Sequence, residues 1–169
     1  MNGTFITEKD PIVRNKRIVS VLSVLFSLFG FALITAPSAS AAGYGCSGSL
    51  VDSHPIRTTE NVTYGNLYLY YDSSTGYNCA VAVKNSAGGA GTASKTTVSI
   101  YRCTAGASTG DACTTDASDN DSGNYSSYAG PVKVYAPNRC IRLYANIWHP
   151  TNGWIASYWG GNANLAEHC

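Results

Sequence analysis

The chain has 169 residues and a near-neutral balance, 11 Lys and Arg against 10 Asp and Glu. That balance leaves no basic stripe, which excludes nucleic acid and anionic membranes as favoured partners. The length fits one ordinary domain.

The N-terminus reads as an export signal. Lys9, Arg14, Lys16 and Arg17 form a basic patch, and an apolar run from Ile18 to Ile34 follows it. Pro37 breaks any helix, and Ala39-Ser40-Ala41 offers small residues to a peptidase. This order predicts a signal peptide over residues 1–41 and a single secreted β domain over 42–169. A retained signal anchor is the alternative, although the run is short for a span of ~20 residues. Removing the leader takes away all four Phe and the one Met, while every Cys, Tyr and Trp remains. The remaining chain carries seven basic and eight acidic residues.

Beyond the leader the chain starts Gly-rich and irregular, apart from "SLVDS" at residues 49–53. "GNLYLYYDSSTGYNCAVAV" then predicts a β-hairpin, because two alternating runs flank a Gly-containing turn. Parity puts Cys79 with Val81 and Val83 on the inward face, opposite Ala80, Ala82 and Lys84. "KTTVSIYRC" is a further strand, with Val98 and Ile100 sharing a face. Thr104 to Ser127 is rich in Asp, Ser, Thr and Gly and is expected to be loop. "GPVKVYA" resumes a strand with Val132 and Val134 inward, and Pro131 suits a strand start or an edge. "RCIRLYANIW" places Ile141, Leu143, Ala145 and Ile147 on one face. "GWIASYW" reads as a last strand, and "NANLAEHC" as one helical turn at most. Short strands between turn signals predict an all-β fold, a small antiparallel sandwich or barrel-like domain.

Six cysteines in an exported chain read as three disulfides, for which fifteen pairings exist. Cys103 and Cys113 flank a short turn-rich segment and are the easiest to join. For the others, local staples are favoured: Cys46 with Cys79, and Cys140 with Cys169. Cys79–Cys140 with Cys46–Cys169 is the rival arrangement. No C-x-x-C pair indicates zinc or redox chemistry.

The sequence offers candidates for catalysis, calcium, sugars and protease inhibition. For catalysis, His54, His149 and His168 are scattered along the chain, and no G-x-S-x-G surrounds a serine. No catalytic residues and no cofactor are therefore expected. For calcium, Asp119 and Asp121 stand in "DASDNDSG", but the Glu and flanking helices of an EF-hand are missing. A solvated loop is the expectation there, and no resident metal. For sugars, Trp148, Trp154 and Trp159 sit among Asn146, Asn152, Asn162 and Asn164. Indole faces can stack on sugar rings while amides meet hydroxyls, but core packing is the default for Trp148 and Trp154. Trp159 and Tyr158 have opposite parity, so one of them must face outward. A protease-inhibitor reading would use Thr104–Ala112 as a loop tied by its bridge.

"GNYSSYAGPVKVYAPNRCI", "YYDSSTGYNCAVAV" and "CSGSLVDS" resemble the spore-associated protein A-like secreted proteins of actinomycetes. The resemblance runs from about Cys46 to Cys169. It implies a small exported protein found with spores or aerial filaments, from an actinobacterial source. It brings no catalytic residues. The expected partners are wall polymer or a spore-coat polymer or protein, with no nucleic acid and no membrane once the leader is cut. Retention on the spore or cell surface is expected after secretion.

Overall fold

The computed structural model describes residues 43–159 and 164–169. The expected leader and Asn162 lie outside these residues. Eight strands form one sheet: β1 (Ser49–Arg57), β2 (Thr63–Asp72), β3 (Tyr77–Lys84), β4 (Ser94–Cys103), β5 (Thr115–Tyr125), β6 (Tyr128–Tyr135), β7 (Ile141–Trp148) and β8 (Ile155–Trp159). Their spatial order is β5-β4-β7-β8-β1-β2-β3-β6, and every pairing is antiparallel. The two edge strands return to face each other, so the sheet curls into a nearly closed barrel.

Alternation fills the barrel. Ile56, Leu67, Leu69, Val98, Ile100, Val132, Ile141, Leu143 and Ile147 are all essentially without solvent contact. Each such side chain contributes roughly 1.5–3 kcal/mol relative to exposure. The β2–β3 hairpin turns through Gly76 at φ 76°, a conformation that a β-carbon would strain. Its register sets Leu67 opposite Ala82 and Leu69 opposite Ala80. Large therefore meets small inside, and Cys79 and Val81 are left outside. The expectation that Cys79 points inward is corrected by this register. Cys79 instead packs with Cys46, Tyr70 and Val81 in a second cluster on the outer face. Tyr44 stacks on Tyr68 there, with ring centroids 6.0 Å apart.

The second correction concerns residues 104–127. Thr115–Tyr125 is not loop but the eleven-residue strand β5. It pairs with β4 from Ser94↔Tyr125 to Cys103↔Thr115. Its polar side chains suit an edge, where charge discourages pairing with a second molecule. They also close the barrel. Asp119 accepts the Lys133 amide at 2.8 Å and Asp121 accepts the Gly130 amide at 2.7 Å. Side-chain carboxylates thus satisfy amides of β6 across the seam. Gly130 sits at φ 104°, and a β-carbon there would meet the Ala80 carbonyl oxygen at 2.9 Å. Pro131 lies in edge strand β6, where its missing N–H is tolerated.

The sulfur bonds run Cys46–Cys79, Cys103–Cys113 and Cys140–Cys169, with sequence separations of 33, 10 and 29 residues. In the chain-entropy model each contributes roughly 3–4 kcal/mol by restricting the unfolded chain. Cys103, Cys113 and Cys140 pack together with Ala166. The tail makes no helical turn within its described residues. It forms β-bridges instead, Ala112↔Leu165 and Ile141↔Glu167. Glu167 thereby takes up the edge of β7 beyond the point where β8 pairs with it.

Candidate functional site

Two regions carry side chains whose placement asks for a function. The first is the outer face of β4, β7 and β8. On β7, Arg142, Tyr144, Asn146 and Trp148 alternate outward from the buried Ile141, Leu143, Ala145 and Ile147. Tyr144 lies opposite Trp159 of β8, with ring centroids 4.3 Å apart. Trp148 lies opposite Ile155, and Lys95 sits 5.8 Å from the Trp148 ring centre. Tyr144 and Trp148 stand four residues apart on one strand face, about 13 Å. Core packing does not hold for the tryptophans: Trp148, Trp154 and Trp159 are 36%, 52% and 55% exposed. Aliphatic residues of opposite parity already fill the barrel, and Tyr158, not Trp159, turns toward it. Trp154 and Asn152 belong to the turn before β8, where the Asn152 side-chain oxygen accepts the Trp154 amide at 3.0 Å. A pocket of about 160 Å³ is lined by Tyr101, Arg142, Leu143, Tyr144, Trp159 and Asn164. That volume is below the ~300–1,000 Å³ of sites that enclose a small molecule. The face is a platform to lie against, not a cavity to enter.

The second region is at the end of the barrel where β1 meets the tail. The β1–β8 contact is a single pair, Arg57↔Ser157. Farther along, the C-terminal tail comes to β1. Asp52 and His54, two residues apart, share the face of buried Ile56. His168 Nε2 lies 2.5 Å from Asp52 Oδ2, and His54 Nε2 lies 3.1 Å from the same oxygen. The latter pair is not aligned for a hydrogen bond, so His54 Nε2 is buried without a partner. Glu167 Oε2 is 3.8 Å from His54 Nε2 and accepts the Tyr158 hydroxyl at 3.1 Å. The other Glu167 oxygen, Oε1, is also buried and unpartnered. The His54 ring stacks on Tyr158, with centroids 4.4 Å apart.

The electrostatics follow from this packing. Burial pushes the Asp52 carboxyl up, but hydrogen bonds from His168 and the Ser53 amide outweigh it, and the group titrates below its ordinary value. Burial pushes the His54 imidazole down despite the opposing Asp52 charge. Burial likewise raises Glu167 against the Tyr158 hydrogen bond, and burial with the Glu167 charge raises Tyr158.

Sequence spacing does not bring His54 and His168 together; the fold does, from opposite ends of the described chain. His149 stays apart in the β7–β8 turn, its Nδ1 accepting the Thr151 amide at 3.2 Å. Asp119 and Asp121 do not form an isolated solvated loop. Both accept backbone amides from β6, and Asp121 Oδ1 also accepts the Tyr125 hydroxyl at 2.5 Å. The Thr104–Ala112 segment is tied to the tail through Gly110 N to Ala166 O and Ala166 N to Asp111 O.

Barrel, bridges and outer face together define a small all-β domain cross-linked by sulfur, of the kind built for an oxidising compartment. The chain is similar to a spore-associated protein. Spore-associated protein A of Streptomyces coelicolor is 34% identical over 119 residues, which cover 64% of this chain and 66% of that relative. The chain therefore spans just under two thirds of the relative's length. No family model matches the chain, and no solved structure matches it.

Proposed function

We propose that this is an exported protein of the spore or cell surface, without catalytic activity, that attaches through the outer face of β7 and β8. The leader over residues 1–41 would deliver it to an oxidising space, where its three bridges form. The observation that carries this reading is the exposure of Trp148 and Trp159 on one sheet face, from neighbouring strands β7 and β8. A folded domain gains nothing from large indoles in water, whereas stacking on a polymer would cover them. The name of the Streptomyces coelicolor relative supports a spore setting.

The exposed aromatics favour glycan as the polymer, because indole faces stack on sugar rings and Asn146 and Lys95 stand on the same face. A coat protein is the other partner the face would suit. Fractionating sporulating cultures into medium, wall and spore wash tests the reading. The wild-type chain is expected in the spore or wall fraction, and a Trp148→Ala/Trp159→Ala variant in the medium. Wild type found in the medium alone would overturn it. Pull-down on peptidoglycan and on chitin then separates glycan from protein attachment.

A further inference from the structure

We propose that Asp52, His54 and His168 form a binding site for a divalent transition metal, with zinc the best match, and that the Cys140–Cys169 bridge assembles it. The ligand atoms are already gathered: one atom from each residue lies within 4.8 Å of the other two. A zinc ion bound tetrahedrally at ~2.0–2.1 Å from each ligand sets those ligands roughly 3.3 Å apart. The separations of 2.5 Å and 3.1 Å to Asp52 Oδ2 need only small side-chain movements to reach that value. Glu167 Oε2, 3.8 Å from His54 Nε2, stands ready as a fourth ligand or as a hydrogen-bond acceptor for a bound water.

Two further observations point to a cation. His54 Nε2 and Glu167 Oε1 are buried and have no hydrogen-bond partner. Orphaned polar atoms of this kind are costly unless something binds them. Two carboxylates, Asp52 and Glu167, also converge at this end of the barrel beside two imidazoles, with Arg142 close enough to favour the Glu167 charge. The ligand set is two nitrogens and one or two carboxylate oxygens. Imidazole suits zinc, copper, iron or nickel, whereas calcium and magnesium take oxygen. A cleft of about 260 Å³ has His168 in its wall, together with Asn138 and Arg139, and offers a route of entry.

The bridge explains how such a site forms. Asp52 and His54 come from β1, and His168 comes from the residue before Cys169. Cys169 is bonded to Cys140, the residue before β7, and Glu167 pairs with Ile141 beside it. Without the bridge, residues 164–167 keep their backbone bonds but His168, beyond them, loses the covalent tie of Cys169 that fixes it beside β1. Metal binding would then report oxidation of the tail.

The test uses the untagged, oxidised chain from residue 42, titrated with zinc by calorimetry, followed by cobalt for its visible spectrum. One zinc per chain is expected, with a tetrahedral cobalt band. His54→Ala and His168→Ala should each weaken binding by at least about tenfold. His149→Ala should leave it unchanged, and Cys140→Ser/Cys169→Ser should weaken it like the ligand variants. Imidazole NMR of the wild-type chain answers the question even if a variant fails to fold. Zinc should shift the His54 and His168 resonances and spare His149. No saturable binding under excess zinc, or equal shifts at all three histidines, would overturn the proposal and leave the cluster as a hydrogen-bonded clasp for the tail.

Discussion

Asp121 Oδ2 accepts the Gly130 amide at 2.7 Å, and this contact joins the two edge strands of the sheet. It does with a side chain what a ladder bond does elsewhere. The other oxygen of Asp121 takes the Tyr125 hydroxyl, so the carboxylate is used from both sides. The Asp121 hydrogen bond raises the Tyr125 phenol, which stays protonated as a donor. Asp121→Ala should therefore lower stability, because it removes the acceptor of two donors at once. Urea denaturation checks this, and Asp121→Asn, which keeps an acceptor oxygen, should cost less.

The Cys103–Cys113 bridge closes a short loop of ten residues. Cys103→Ser/Cys113→Ser should lower stability by about 3 kcal/mol. The fold should survive, since the barrel core stands apart from this sulfur cluster. Thermal unfolding of the double variant measures the loss.

Acid should weaken the protein through Asp116. Hydrogen bonds from Arg102 and Arg139 hold its carboxyl below the ordinary value. A carboxyl depressed in the folded state contributes stability that is complete above its unfolded pKa. That contribution is lost as pH falls through the folded value. The urea midpoint should fall across this acid window in the wild type, and less steeply in Asp116→Asn.

Lys84 predicts a change at the alkaline end. It is 5% exposed and donates to Thr92 O at 2.8 Å and Ser94 Oγ at 2.7 Å. Burial without an acidic partner lowers its pKa. The unfolded chain then holds the proton where the folded chain has released it. Stability from this group should rise with pH up to the ordinary lysine range. Lys84→Met should remove that rise in urea midpoints measured between neutral and alkaline pH.

The tryptophans predict function without stability. Trp159→Ala changes an exposed side chain and should shift stability by no more than about 0.5 kcal/mol. Its retention on wall polymer should nevertheless drop. Equal retention with an unchanged melting curve would count against the aromatic face as the point of attachment.

The strands that face the barrel with aliphatic residues were legible, because Leu67, Leu69, Val98, Ile100, Ile141 and Leu143 keep a strict period of two. β5 was not legible, because it brings the polar Asp119 and Asp121 to the seam and has no apolar face to display. The inward residues of β3 were misread because parity alone does not say which face is the inside. The Leu–Ala pairing across the hairpin decides it. The histidine cluster was hidden by distance, since His168 reaches Asp52 across 116 residues. One local signal existed: Asp52 and His54 two residues apart in a strand share a face. Knowing that the tail lies beside β1 requires the strand order, which spacing does not reveal. The outward tryptophans follow from the parity of Ile147 and Trp148 once the aliphatic residues are seen to fill the barrel.

The most direct measurement is alkylation of the protein under denaturant, without reductant, after recovery from a spore wash. The account predicts a chain beginning at Ala42, with none of its six cysteines alkylated. Labelled cysteines in protein that is still folded before denaturation would contradict it, because the barrel would then stand without its sulfur staples.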